Sequence, residues 1–336
     1  VVRIILSPGT VSHKGSGWRA DVQGLRAIAV LAVIIFHAGL PLPGGFTGVD
    51  IFFVISGYVI TEMLIREWNA HGRIRLGRFY VRRFKRLVPA LALVVSITVL
   101  VSMVLFPPLG DENRVLATGI GAMTISANIV IEFLAGNYFA VDAQSNPLLH
   151  TWSLSVEEQF YLVFPLLVIA GLIWGRARKS GQSLVVLLVF VVTAGSLALT
   201  LAAAYLSLPV GETLLGFYST ISRAWEFGAG ALIALSASRL ARLRQGVLHT
   251  ATWSGLILIV AGFFVISEQS VFPGLLTLLP VVGTSLLIIG GLSTKSSSFS
   301  RLLSSRPMET IGDWSYSLYL WHWPSIVFAS LLWPSS

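Results

Sequence analysis

The 336-residue sequence contains no cysteine. A thiol nucleophile, a disulfide framework and a cysteine metal site are therefore excluded. Charge is also scarce: 11% of residues are Asp, Glu, Lys or Arg, against roughly 25% in a soluble domain. Hydrophobic residues make up 55% and the mean hydropathy is +0.81. Apolar segments recur from residue 25 to the end, which leaves no room for a sizeable soluble domain. The chain reads as an all-α, polytopic transmembrane helix bundle. Acids are the scarcer sign, 15 against 23 basic residues, for a formal net charge of +8. In a membrane protein that excess belongs to basic cytoplasmic loops, so no nucleic-acid partner is expected. No signal peptide is expected in the stretch "VVRIILSPGT", because its apolar start breaks at once on Pro8 and Gly9. Residues 1–20 are expected to form a loose cytoplasmic leader, with 21–336 as one transmembrane domain.

A span needs roughly 20 mainly apolar residues. Ten hydrophobic segments are expected, near 25–41, 48–65, 87–106, 114–135, 151–174, 183–207, 214–237, 250–267, 271–292 and 312–333. Twenty-one of the 23 basic residues fall in five clusters. These are the leader with Arg26, a loop at 66–86, "RARK" at 176–179, "RLARLR" at 239–244, and the 295–306 loop. If all ten segments cross, the last three clusters lie outside, against the positive-inside rule. If segment four does not cross, all five lie inside. Segment four is also the most polar, with Thr118, Thr124, Ser126, Asn128 and Glu132. Nine crossings plus one re-entrant or surface-lying segment are favoured, with the N-terminus cytoplasmic and the C-terminus outside.

Ionisable residues within a membrane are costly, and they mark functional sites by default. Arg26 and His37 are eleven residues apart, about 20° past three full turns. They share one helix face, about 16 Å apart along the axis. Arg26 sits at the cytoplasmic edge and His37 in the outward half. The loop at 66–86 holds eight basic residues, seven of them Arg. It suits either lipid headgroups or a phosphate-binding patch, and the bias towards Arg favours bidentate phosphate contacts. Within it Arg83 and Arg86 stand at i, i+3, with Arg82 and Lys85 on a neighbouring face. In "SNPLLHTWSLSVEEQFYLVFP", Ser145 or Asn146 can cap a helix. His150, Ser153, Glu157 and Tyr161 then share a face, and Glu158 adds a second acid. Asp50 lies at the outer end of segment two. Arg223 and Glu226, at i, i+3, read as a structural ion pair. Ser315, Tyr319 and His322 share a face in the last segment, where His322 lies near mid-membrane and reads first as a packing residue. A basic ring thus lies at the cytoplasmic face, with histidines and carboxylates deeper. That layout is expected if an anionic donor binds inside and an acceptor is reached from outside. No close His/Asp/Glu ligand set is seen, so no metal site is expected.

Six stretches, in order, resemble the acyltransferase-3 family of integral-membrane acyltransferases over about residues 18–333. They are "RADVQGLRAIAVLAVIIFHAG", "GGFTGVDIFFVISGYVIT", "FYVRRFKRLVPA", "HTWSLSVEEQFYLVFP", "SRAWEFGAGAL" and "IGDWSYSLYLWHWP". The family's Arg-x10-His signature falls on Arg26 and His37, its Arg-x-x-Arg on Arg83 and Arg86, and its Ser-x-x-x-Glu on Ser153 and Glu157. The resemblance implies transfer of an acyl group, usually acetyl from acetyl-CoA. The acetyl-CoA would be a co-substrate, with no tightly bound cofactor. The acceptor would be a hydroxyl of an extracytoplasmic glycan or lipid-linked saccharide, such as O-antigen or peptidoglycan. Setting and partners would be a bacterial inner membrane and its lipids. Many members continue into an extracytoplasmic SGNH-type domain, and an outward C-terminus suits such an extension beyond Ser336.

On this reading Arg26, Arg82, Arg83 and Arg86 hold the CoA phosphates, with help from Lys85. His37 is general base or transient acyl carrier. Glu157 orients or charge-balances His37, or is itself the base. Asp50 and His150 shape the acceptor side. The competing expectation is a transporter or flippase for a lipid-linked saccharide or small anion. Transporters commonly show inverted repeats and broken helices, and neither is clear in the sequence.

Overall fold

The computed structural model describes residues 19–106, 110–135, 138–178, 182–206, 215–293 and 297–333. Arg3, Lys14, Lys179 and Lys295, with most of the expected leader, lie outside the described residues. Thirteen α-helices are described. The first three are α1 (Ala20–His37), α2 (Gly48–His71) and α3 (Leu76–Leu105). Shorter pieces follow: α4 (Asp111–Met123), α5 (Ala127–Ala135) and α6 (Val141–Gln144). Then come α7 (Thr151–Ala177), α8 (Ser183–Tyr205), α9 (Thr220–Leu240) and α10 (Gln245–Val265). The chain closes with α11 (Leu278–Gly290), α12 (Ser298–Leu303) and α13 (Arg306–Leu332). Single 3-10 turns at Gly45–Thr47 and Leu275–Thr277 lead into α2 and α11. No strand occurs among the described residues, as expected where every backbone polar group must be satisfied without water.

Among the described residues, six helices are long and apolar enough to cross a membrane: α1, α2 with its leading turn, α3, α7, α8 and α10. The other four of the ten expected segments are shorter, more polar or, as segment four, broken. Segment nine is a short apolar helix, Leu275–Gly290 with its leading turn. Helices α9 and α13 have the length, 21 and 27 residues, but carry internal charged and polar groups. Segment four is not one helix. It breaks at Ile125, a β-branched residue at φ 61°, where a side chain is strained. Helix α7 holds the break: Gln159 Nε2 donates to the Ile125 carbonyl at 2.7 Å, and the Ala127 amide donates to Ser155 Oγ at 3.1 Å. Helices α4 and α5 pack on each other, and each is too short to span.

Two further expectations are corrected. The basic "loop" at 66–86 is mostly helical, because α2 runs to His71 and α3 starts at Leu76. Arg and Lys are good helix formers, and the chain needs only four residues to turn. Helix α7 starts at Thr151, not after Ser145 or Asn146. Asn146 instead folds a turn, its Oδ1 accepting from the Leu148 amide at 2.9 Å and its Nδ2 donating to Thr118 at 2.8 Å.

Small residues set the closest helix contacts. At the α2–α9 crossing, a Cβ on Gly57 would lie 1.9 Å from the Phe227 carbonyl oxygen, and one on Gly230 1.9 Å from that of Val54. At Gly312 on α13, a Cβ would lie 2.1 Å from the Gln23 carbonyl oxygen of α1. These contacts fix α1, α2, α9 and α13 as a close-packed group. The outer surface is apolar, as a lipid-facing surface should be. Val104 is 81% exposed and Phe133 77%.

Candidate active site

Three helices build the site. Helices α1 and α13 run side by side in the same direction, from their Arg26 and Ser315 end to their His37 and His322 end. Helix α7 runs the other way, from His150 towards Glu157. Three rungs join them.

The first rung is charged. Arg26 donates from Nε and Nη2 to Ser315 Oγ at 3.1 and 3.0 Å. Beside it lies a cavity of about 340 Å³ lined by Arg26, Arg82, Arg83, Arg86, Glu157 and Tyr161, among others. Arg83 donates to Glu158 at 2.7 Å and lies 3.5 Å from the centroid of the Tyr161 ring. Its Nε is buried without a partner. Glu157 accepts from Ser56 Oγ and from Tyr161 OH. Four arginines against Glu157 and Glu158 leave a cationic cavity suited to an anion.

The second rung is neutral. Ser153 Oγ and Tyr319 OH share a hydrogen bond of 2.7 Å. A small cavity of about 40 Å³ lies beside both rungs, lined by Arg26, Ser56, Glu157, Ser153, Ser315 and Tyr319 among others.

The third rung is a pair of histidines. His37 Nδ1 lies 3.1 Å from His322 Nε2, and His37 Nε2 lies 3.0 Å from Tyr138 OH. His322 Nδ1 lies 2.6 Å from the Tyr319 carbonyl. A carbonyl only accepts, so His322 Nδ1 carries a proton. In a neutral pair His322 Nε2 must then accept, so His37 Nδ1 donates to it. That leaves the lone pair of His37 Nε2 to receive the hydroxyl of Tyr138. The hydrogen bonds thus set the tautomer of His37 and leave its Nε2 basic towards a hydroxyl. Trp323 packs on His37 with ring centroids 4.6 Å apart. His150 is 1% exposed, its ring 5.5 Å from that of His322, and neither of its nitrogens has a hydrogen-bond partner.

Two expected placements differ. Glu157 does not touch His37. It lies two turns along α7 from His150, about 10 Å, in the arginine cavity. His322 holds the position expected of Glu157. Asp50 does not join the histidines by any hydrogen bond. Arg223 donates to Asp50 at 2.9 Å and to Glu226 at 3.1 Å, and all three are buried. The expected Arg223–Glu226 pair is thus extended to a triad that ties α2 to α9. Its cation also lies near the rings of Trp152, Phe217 and Phe272, 4.8 to 5.6 Å from their centroids.

Sequence reasoning missed Tyr138, Ser56 and Tyr316. Ser56 had a visible signal, a polar residue deep in an apolar segment. Tyr138 had none, because it lies in a turn between α5 and α6 with no periodicity to aim it.

Residues 19–336 match an acyltransferase domain family. The peptidoglycan O-acetyltransferase OatA of Listeria monocytogenes is 32% identical over 317 residues, 92% of this chain and 50% of that protein. The O-acetyltransferase OatA of Staphylococcus aureus strain NCTC 8325 is 34% identical over 322 residues, 92% of this chain and 51% of that protein. The putative peptidoglycan O-acetyltransferase YrhL of Bacillus subtilis is 32% identical over 321 residues, 92% and 49% respectively. The chain spans about half the length of these curated relatives. No solved structure matches it. With the family match running from the first described residue to the last, through every helix that carries a rung, this polytopic membrane protein belongs to the acyltransferase-3 family.

Proposed function

We propose that the chain is a membrane O-acetyltransferase that moves an acetyl group from cytoplasmic acetyl-CoA to a hydroxyl of an extracytoplasmic glycan. The names of the relatives favour peptidoglycan as that glycan. The observation that carries this reading is the order of the three rungs along one seam: a cationic cavity, the Ser153–Tyr319 pair and a histidine pair.

Arg82 and Arg86 stand exposed at the cavity mouth and would take the CoA phosphates, with Arg26 and Arg83 behind them. The unpartnered Nε of Arg83 is a donor in reserve for such an anion. The pantetheine arm would run along the seam past Ser153 and Tyr319. His37 Nε2 would accept the proton of the acceptor hydroxyl as its oxygen attacks the thioester carbon. The C–S bond breaks, and His37 would pass the proton to the departing thiolate, so that CoA leaves as the thiol and the imidazole returns to its neutral form. His322 would hold His37 in its reactive tautomer. Glu157, placed among the arginines, would tune the donor cavity and take no part as base. The Asp50–Arg223–Glu226 triad would position helices.

The test uses the purified chain in vesicles with radiolabelled acetyl-CoA and a panel of glycans. Labelled glycan from the wild type and none from His37→Ala is the expected result. No labelled glycan from folded wild type over the whole panel would refute the reading.

A further inference from the structure

Glu157 lines both the arginine cavity and the small cavity beside the Ser153–Tyr319 pair. Arg26, Ser56 and Tyr316 also line both. The hydrogen bonds of Glu157 fall on one side only. Ser56 Oγ and Tyr161 OH both donate to Oε1. Oε2 receives no hydrogen bond from a described residue. Ser315 lines the same small cavity, is fully buried and has the opposite imbalance. Its Oγ accepts twice from Arg26, at 3.1 and 3.0 Å, which occupies both lone pairs of a hydroxyl. Its own proton goes to no described residue. Two helices, α7 and α13, thus leave one charged acceptor and one hydroxyl proton at a single small cavity. An ionised phosphate carries acceptors only and is repelled by a carboxylate. A secondary amide carries one N–H and one carbonyl, and it answers both groups.

The arm of coenzyme A holds two secondary amides, and length tells them apart. Ser315 and His322 are seven residues apart on α13, about 10 Å along the axis. His322 holds His37, where the thioester reacts. Counted from the sulfur of an extended arm, the inner amide nitrogen lies at roughly 4 Å and the outer one at roughly 9 Å. The outer amide is the one that reaches the level of Ser315. We propose that Glu157 Oε2 accepts the N–H of this outer amide and that Ser315 donates to its carbonyl. The proposal rests on the acetyl-CoA donor read above and deepens it. An acid among four arginines then has a use. The phosphates are held at the mouth, and the arm is read behind them by a group that rejects phosphate.

The test is isothermal titration of the full chain in detergent with four ligands. They are CoA, adenosine bisphosphate (the phosphates without the arm), and two CoA analogues with an ester in place of the inner or the outer amide. No binding of CoA by folded wild type would refute the donor reading and the proposal with it. Where CoA binds, the outer ester should bind about tenfold more weakly, the weight of one hydrogen bond to a charged group, and the inner ester nearly as well as CoA. Glu157→Gln should weaken CoA, narrow its advantage over the outer ester, and slightly tighten adenosine bisphosphate, because a negative charge has left the cavity. Ser315→Ala should weaken CoA more than adenosine bisphosphate, since any disturbance of Arg26 falls on both. Equal wild-type affinity for CoA and the outer ester would overturn the proposal and leave the donor reading standing. So would a Glu157→Gln variant that binds CoA more tightly along with adenosine bisphosphate, which would leave Glu157 a charge among charges. Equal losses of the two ligands in Ser315→Ala would overturn the part given to Ser315.

Discussion

The two ends of the seam solve the problem of polar groups in a membrane in opposite ways. At the arginine end, charge is abundant and partly exposed. Arg82 and Arg86 face the cavity mouth, while Arg83 is bound to an acid. At the histidine end there is no charge pair at all. His37, His322 and Tyr138 satisfy one another through neutral hydrogen bonds, each in a fixed direction. An exposed cationic site gains its specificity from an incoming anion and is screened by salt. A neutral, partly buried relay gains it from geometry set before the ligand arrives, and offers no charge for salt to screen. One end is built to capture, the other to react.

The comparison breaks most easily at His37. His37→Ala should lower acetyl transfer by about 10²–10⁴-fold while leaving acetyl-CoA binding intact, as measured by turnover against isothermal titration. Loss of both together would mean that the ends are not separate. Asp50→Ala tests the buried triad that ties α2 to α9. Because Arg223 keeps Glu226, it should destabilise the fold by about 1.5–3 kcal/mol, the weight of a hydrogen bond to a charged group. Thermal unfolding in detergent measures it, and Asp50→Asn should recover part of the loss. A catalytic Asp50 would instead cost turnover at unchanged stability.

His322→Gln sharpens the comparison at the reactive end. Gln can still accept from His37 Nδ1, so transfer should fall by less than in His322→Ala, with the donor KM unchanged in both. Equal loss in the two variants would remove the tautomer role. The smallest effect belongs to the capture end. Arg82→Ala should raise the acetyl-CoA KM about fivefold, the weight of one exposed charge-assisted contact, with kcat little changed. Raising salt from 50 to 500 mM should mimic it in the wild type and change Arg82→Ala less. A salt effect on kcat would place an exposed charge in the reacting end.

Arg26 and His37 could be read as a pair on one face because helical periodicity is a local property, and the structure has Arg26 on Ser315 and His37 on His322 within one seam. The grouping of Ser315, Tyr319 and His322 is legible for the same reason. The level of Glu157 relative to His37 is not local. It depends on how far the antiparallel α7 slides along α1, which packing decides and spacing does not record. Thus Glu157 was expected beside His37 and stands among the arginines. Tyr138 could not be found at all, because a turn residue has no face. The basic stretch at 66–86 is expected as a loop because its charges interrupt the apolar runs, although Arg and Lys extend helices well. The break at Ile125 follows no turn residue. It rests on Gln159 and Ser155, some thirty residues later in the chain.

The glycine contact between α2 and α9 has a mechanical consequence. Two backbones that touch cannot slide, so Ser56, Asp50 and Arg223 ride on one rigid body. Helix α3 is different, since it is largely lipid-facing and joins the rest mainly through α4. Three of the four cavity arginines are on α3, and the fourth, Arg26, is on the rigid group. The capture site is therefore a vice with one fixed anvil and one jaw clamped to it by side-chain hydrogen bonds.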